Sequence, residues 1–439
     1  MNRLARATRR SYQRELQRAY AILMTTIVVS ACAHTQASVR PVRRVSYWEA
    51  MALLQPADAI AAAHTESETK FAEGLRSLMA GDFENAEQTF GQLRRTATDS
   101  IIRAASRVIY TAALQYQEKW DPLAAMKNEP SEPKADQTDK ASVEWWAVAF
   151  KGVPPKTITF RGQSVVVPLS VSAVGTPLVP VRIGDKEYHF WLDTGSSMTM
   201  LASDIASDLN LMPLLSDTLE IVTSTGRVRA HPSLLPQLEI GQLLVLNAPT
   251  MIVDESLMQM REPKPIELNR QVKIDGIIGF DIIRYLDLEV DYLEGTLRLR
   301  NPATSRPESD RNMFWVGLPV VQLTSSDGVP LHFGLDTGAQ QTFVTETLLD
   351  KLEIQAARIE SRRVGGLGGE IFLRAPVLPD ARLFVRGFPI LFRGAVVRAP
   401  VYQVLAALDG ALGGDIWNTG VVRIDVTNGV FSVRRSRPQ

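Results

Sequence analysis

Two stretches of this chain carry nearly the same residues: His189-Phe190-Trp191-Leu192-Asp193-Thr194-Gly195 and His332-Phe333-Gly334-Leu335-Asp336-Thr337-Gly338. In each, an apolar run ends in an aspartate followed by threonine and glycine. Two carboxylates held about 3 Å apart cannot both ionise, because the first charge disfavours the second. Such a pair keeps one proton. Its ionised member can take a proton from water while its protonated member donates to a carbonyl oxygen. Either aspartate can play either part, so the pair titrates jointly. The glycines allow the backbone to turn beside the carboxylates, where a Cβ would crowd them.

The repeat reaches well beyond these motifs. The same 143-residue offset carries Thr199 onto Thr342, Leu209 onto Leu352, Gly226 onto Gly369 and Leu235-Pro236 onto Leu378-Pro379. Further on, Asp275-Gly276-Ile277-Ile278-Gly279-Phe280-Asp281 matches Asp409-Gly410-Ala411-Leu412-Gly413-Gly414-Asp415 at an offset of 134. The first copy therefore has nine extra residues, expected in a polar surface loop around Glu255 to Lys273. The terminal segments Val290-Asp291 and Ile424-Asp425 also align.

A strand ending in Asp-Thr-Gly, a glycine turn some thirty residues on and a later apolar-apolar-Gly together resemble one lobe of the aspartic peptidases. The lead-in Gly175-Thr176-Pro177-Leu178-Val179-Pro180-Val181 resembles their bacterial retropepsin-like branch. The resemblance covers residues 160 to 436. It implies a mainly β fold of two tandem retropepsin-like (acid protease) lobes, at 160–303 and 312–436, forming a pseudo-dimer within one chain.

That family implies an aspartic endopeptidase with Asp193 and Asp336 as the catalytic carboxylates, hydrolysing peptide bonds with neither cofactor nor metal. Thr194 and Thr337 are expected to bond across the lobe junction. Ser196 follows the first glycine and Ala339 the second; a serine hydroxyl donating to a carboxylate favours its charged form. An asymmetric dyad with an optimum at mildly acidic or near-neutral pH is expected. Thr225-Gly226 and Gly368-Gly369 fall where flap hairpins close over substrate. Neither flap carries the tyrosine typical of pepsins. The glycine cluster Gly365 to Gly369 lacks the strand-to-helix context and the lysine of a phosphate loop. His189 and His332 read as strand positions with local hydrogen bonds, and Ile277-Ile278-Gly279 with Ala411-Leu412-Gly413 as packing beneath the motif loops. Asp281 and Asp415 read as acceptors of backbone hydrogen bonds. A binding protein that kept the fold but lost turnover is the rival reading.

These strands must be carried by something. Ser164 to Val171, Leu178 to Ile183 and Tyr188 to Leu192 alternate in the manner of short strands. Upstream, residues 45–126 lack that alternation and read as a small α-helical region. Gly74, Gly81-Asp82-Phe83, Ala86 and Phe90 sit where a tetratricopeptide repeat places small and aromatic residues, with a poorer second copy from Leu114 to Ala124. A single clear unit is short of a stable array, so an ordinary helical hairpin fits as well as a protein-binding surface. Residues 127–141, polar and broken by Pro130 and Pro133, read as a linker. Trp145-Trp146 reads as a packing anchor onto the β lobes.

At the N-terminus six arginines precede an apolar run from Ala19 to Val29, too short to span a bilayer but suited to a signal peptide. Val29-Ser30-Ala31-Cys32 resembles the bacterial lipoprotein cleavage box. Residues 1–32 are thus expected as a signal peptide, with Cys32 lipidated and the protein membrane-anchored in the cell envelope or periplasm. The single cysteine excludes an intrachain disulfide and a thiolate zinc cluster. With Lys plus Arg and Asp plus Glu at 48 each, no global field favours nucleic acid. The expected partner is a peptide or protein substrate.

Overall fold

The computed structural model describes residues 45–129, 141–172, 175–261, 271–302, 311–355, 358–399, 406–416 and 420–435. Cys32, the leader and most of the expected linker lie outside these. The described chain is mainly β with a helical region at its N-terminal side.

The helical region is built on the pair Glu66–Ala80 and Phe83–Thr96. Thr65 and Glu68 cap the first reciprocally, Gly81 ends it in the left-handed region (φ 83°), and Asp82 caps the second. The turn is short because each residue in it satisfies a helix end. A Cβ on Gly74 would meet the Phe90 ring at 2.9 Å, so glycine is what lets the two helices approach. Ser100–Tyr116, Trp120–Ala125 and Val143–Phe150 follow. The linker's first residues are fixed to this region: Glu129 pairs with Arg94 and Arg107, and Lys127 lies over the Trp145 ring. Trp146 is buried and donates from Nε1 to the Glu220 carbonyl (3.3 Å), joining helix to sheet.

Among the described residues the β portion forms a nine-stranded sheet, a ten-stranded sheet and a five-stranded sheet that draws strands from both copies. In the first sheet Gly276–Ile278 runs parallel to Lys186–Leu192, with Ile278 opposite Leu192. In the second, Gly410–Leu412 runs parallel to Pro330–Leu335, with Leu412 opposite Leu335. The repeat in sequence is thus a repeat in register. The five-stranded sheet takes Ser164–Pro168, Asp287–Asp291 and Thr296–Arg300 from one side and Gly420–Asp425 and Val430–Arg435 from the other. Asp287–Asp291 pairs with residues 421–425 across it, and Arg423 clasps Asp287 through two nitrogens at 2.8 and 2.7 Å.

The stretch expected to hold the nine extra residues lies partly outside the described residues, at 262–270. Its flanks pair as the strands Gln259–Arg261 and Gln271–Lys273, and Met258 and Met260 are buried. Met260 packs beside Gly365, close to the turn of the second glycine hairpin.

Candidate active site

Each aspartate sits at the end of a central strand, where the amide of the next turn must find a new acceptor. Asp193 N–H donates to Ile278 O (3.0 Å) and Asp336 N–H to Leu412 O (3.1 Å). The apolar-apolar-Gly segments therefore hold the motif loops directly. Phe280 N–H donates to Ser196 O (2.7 Å) and Gly414 N–H to Ala339 O (2.8 Å), fixing the far side of each loop.

The two loops then interlock. Thr194 N–H donates to Thr337 Oγ1 (3.0 Å) and Thr337 N–H to Thr194 Oγ1 (3.0 Å). Each hydroxyl passes its own proton onward, Thr194 to Leu335 O (2.8 Å) and Thr337 to Leu192 O (2.7 Å). All four groups are buried and satisfied. A Cβ on Gly195 would lie 2.6 Å from Asp336 Oδ1, and one on Gly338 would lie 2.5 Å from Asp193 Oδ1. Each glycine thus makes room for the other motif's carboxylate.

Asp193 and Asp336 are within hydrogen-bonding reach of each other, and both are half-buried. Burial first, and the Asp336 charge second, push the Asp193 carboxyl up to about 8 from 3.8. The Gly195 amide, donating to Asp193 Oδ1 at 2.8 Å, opposes this without reversing it. Ala339 N–H donates to Asp336 Oδ1 at 2.8 Å. The pair keeps a proton at neutral pH and can act as acid and base together.

Ser196 departs from expectation. Its hydroxyl donates to Met198 O (2.7 Å), within its own loop, and not to either carboxylate. The side chain is buried beneath the turn, where that carbonyl would otherwise lack a donor. The backbone amides of Gly195 and Ser196 both bond the Asp193 carboxyl, and the Ala339 amide bonds that of Asp336.

Thr225 and Gly226 lie at the turn between Leu219–Val222 and Arg227–Ile240; Gly368 and Gly369 lie at the turn joining Arg358–Gly366 to Gly369–Val377. Gly368 (φ 94°) and Gly369 (φ 127°) need the freedom only glycine has. The hairpin tips touch: Thr225 Oγ1 donates to Leu367 O (2.8 Å). Leu257 O accepts from Gly368 N–H (3.3 Å), and a Cβ on Gly365 would strike Met260 Cε, so the segment around Leu257 and Met260 buttresses the second hairpin.

The outlying residues occupy supporting places. His189 and His332 donate their backbone N–H to Asp275 (3.1 Å) and Asp409 (2.7 Å). Burial, with Lys351 adding to it, pulls the His332 imidazole down to about 4. Thr342 N–H and Oγ1 both bond Asp415 at 2.8 Å, in line with a backbone role. Asp281 differs: it takes the Thr199 hydroxyl (3.0 Å) and the Lys156 ammonium (3.0 Å). Lys156 also reaches Glu118 (2.5 Å), which in turn meets Arg284 (3.4 Å). Burial disfavours the Lys156 charge, but Asp281 and Glu118 outweigh it and its pKa is raised. Neither Lys156 nor Glu118 belongs to a motif, and no signal in the sequence marks them.

Residues 179–282 match the family model of the aspartyl proteases, a stretch that contains Asp193, the first hairpin and Gly279. The match supports an aspartic protease family and suggests a hydrolase. It ends before Asp336. No curated protein matches the chain.

Proposed function

We propose that this protein is an aspartic endopeptidase whose two lobes form an intramolecular pseudo-dimer and hydrolyse peptide bonds with one water activated between Asp193 and Asp336. The observation that carries this reading is the crossed arrangement of the motif loops, in which each glycine makes way for the opposite carboxylate. The ionised carboxyl takes a proton from water, the water oxygen attacks the peptide carbonyl, and the protonated carboxyl donates to the carbonyl oxygen. Collapse of the tetrahedral species breaks the C–N bond as a proton passes to the leaving amine, so no covalent intermediate with the protein forms. The hairpins Thr223–Gly226 and Leu367–Gly369 are the flaps that exclude water during this step.

The reading extends to location. An export signal ending at Cys32 would place the protein in the bacterial cell envelope on a lipid anchor, with the tetratricopeptide-like helices at 45–126 facing a protein partner or substrate.

Incubation with a complex peptide mixture, followed by mass spectrometry, tests the activity. Cleavage is expected from the wild type and from neither Asp193→Asn nor Asp336→Asn. Cleavage that survives both substitutions would sink the dyad. Tight peptide binding without cleavage by the wild type would favour the rival, a binding protein on the same fold.

A further inference from the structure

The internal repeat gives each lobe a corresponding face beside its motif loop, and the chain uses the two faces differently. Met198 and Asp281 on the first correspond to Gln341 and Asp415 on the second. Strand pairing extends the match: Met200 lies opposite Met251 and Phe343 opposite Val396, which carries Pro249 onto Gly394. On the first face, Met198, Pro249 and Asp281 share a cavity lining with Tyr116 and Glu118 of the helical region. Glu118 meets Arg284 of that lobe at 3.4 Å, and also Lys156, which holds Asp281. A polypeptide element with a carboxylate at its contact therefore packs there.

On the second face, Gln341, Gly394 and Asp415 line a cavity of about 630 Å³, and among the described residues none from the helical region lines it. Arginines reach it from three separate elements. Arg362 comes from the second hairpin, Arg393 from the turn after Phe388–Phe392, and Arg434 with Arg435 from the terminal strand Val430–Arg435. Arg362 spans from its hairpin to that turn, since a Cβ on Gly394 would lie 3.5 Å from its Nη2. It pairs with Glu360 (2.6 Å), and Arg434 pairs with Glu289 (3.5 Å). Arg393 and Arg435 are exposed and meet no carboxylate among the described residues. Asp415, the one acid lining the cavity among the described residues, takes two hydrogen bonds from Thr342.

Guanidinium groups bind carboxylates and phosphates alike. Two features favour a polypeptide. The cavity is also lined by Phe388, Ile390 and Leu391, the last 42% exposed, which offers apolar side chains a surface. Glu360 and Glu289 stand beside two of the arginines, and a nucleic-acid backbone, charged at every residue, would have to pass them. A peptide can place its carboxylates only where an arginine is free.

We propose that this cavity docks an acidic, partly apolar segment of a partner polypeptide, its carboxylates held by Arg393 and Arg435. The proposal goes beyond the peptidase reading and does not need it, because none of these groups belongs to the dyad.

Fluorescence anisotropy on the full-length Asp193→Asn protein, chosen so that the probe stays intact, tests this. The probe is a short labelled peptide of mixed Glu and Leu. The same peptide with Gln for Glu, and a single-stranded oligonucleotide of equal charge, are the comparisons. The Glu–Leu peptide is expected to bind, and more weakly as salt rises. Arg393→Glu/Arg435→Glu should weaken it by about tenfold or more through like-charge repulsion. Arg76→Glu/Arg95→Glu, the same change of charge at exposed positions of the helical region, should leave it unchanged. Failure of the Glu–Leu peptide to bind, equal binding of the Gln peptide, or full binding by the charge-reversed site overturns the proposal. Preference for the oligonucleotide, lost in the same variant, overturns the polypeptide assignment and gives the site to nucleic acid. Binding is read without turnover, so none of these results bears on the peptidase reading, and failure of that reading leaves the docking site standing.

Discussion

Thr194 and Thr337 stand 143 positions apart and exchange amide-to-hydroxyl hydrogen bonds of equal length, 3.0 Å each way. Each hydroxyl is both acceptor and donor, so valine, which matches threonine in shape, leaves an amide and a carbonyl unpaired in a buried place. Thr194→Val is expected to cost about 1–3 kcal/mol, read from the urea midpoint. The Thr194→Val/Thr337→Val double variant should cost less than the sum of the singles, because both remove one shared network.

Gly195→Ala and Gly338→Ala test the close approach of the loops. Either methyl must displace the opposing carboxylate, and a shift near 1 Å in a reacting group costs roughly 100-fold in rate. Activity is expected to fall by about that factor while Tm changes little by comparison.

The pH dependence follows from the Asp193 carboxyl at about 8. Activity needs one proton on the pair, so kcat/KM should fall on the alkaline side with a midpoint near 8. Stability carries the same signature. The raised pKa means that the folded state binds this proton more tightly than the unfolded chain does. The resulting stabilisation is complete below 3.8 and is lost as pH rises through about 8. Thermal melts across this range should show wild type losing ground to Asp193→Asn; parallel curves would contradict it.

Lys156→Met removes the cation shared by Glu118 and Asp281. Asp281 then loses its ammonium partner while Glu118 keeps Arg284 at 3.4 Å, and a loss of about 3 kcal/mol is expected in chemical denaturation. Asp281→Asn added to Lys156→Met should return part of it, since one uncompensated charge is removed.

Much of this site could be read in the sequence because it is encoded twice. The register that links Asp193 to Asp336 also links Ile278 to Leu412, and the strands carry that register into space. Whatever breaks the repeat was hidden. Ser196 against Ala339 showed a difference of residue but not its direction, since the hydroxyl's choice of Met198 O depends on the fold of its own turn. Lys156 and Glu118 lie outside both copies and meet only when the helical region packs on the first. The stretch around Met258 and Met260 read as a polar loop because its apolar residues are spaced for another element's surface, the second hairpin. Pairwise contact between distant segments has no local signature.

The five-stranded sheet also sets a schedule. Asp336 depends on Leu412 for its amide partner, and the strands Gly420–Asp425 and Val430–Arg435 close the sheet begun by Ser164–Pro168. A chain emerging in order from its N-terminus holds Asp193 long before it can complete the second loop's support. Contacts of such long sequence separation form late. The two carboxylates therefore stay apart through synthesis and unfolded passage, and the support that opposes them is complete only once the strands Gly420–Asp425 and Val430–Arg435 have paired.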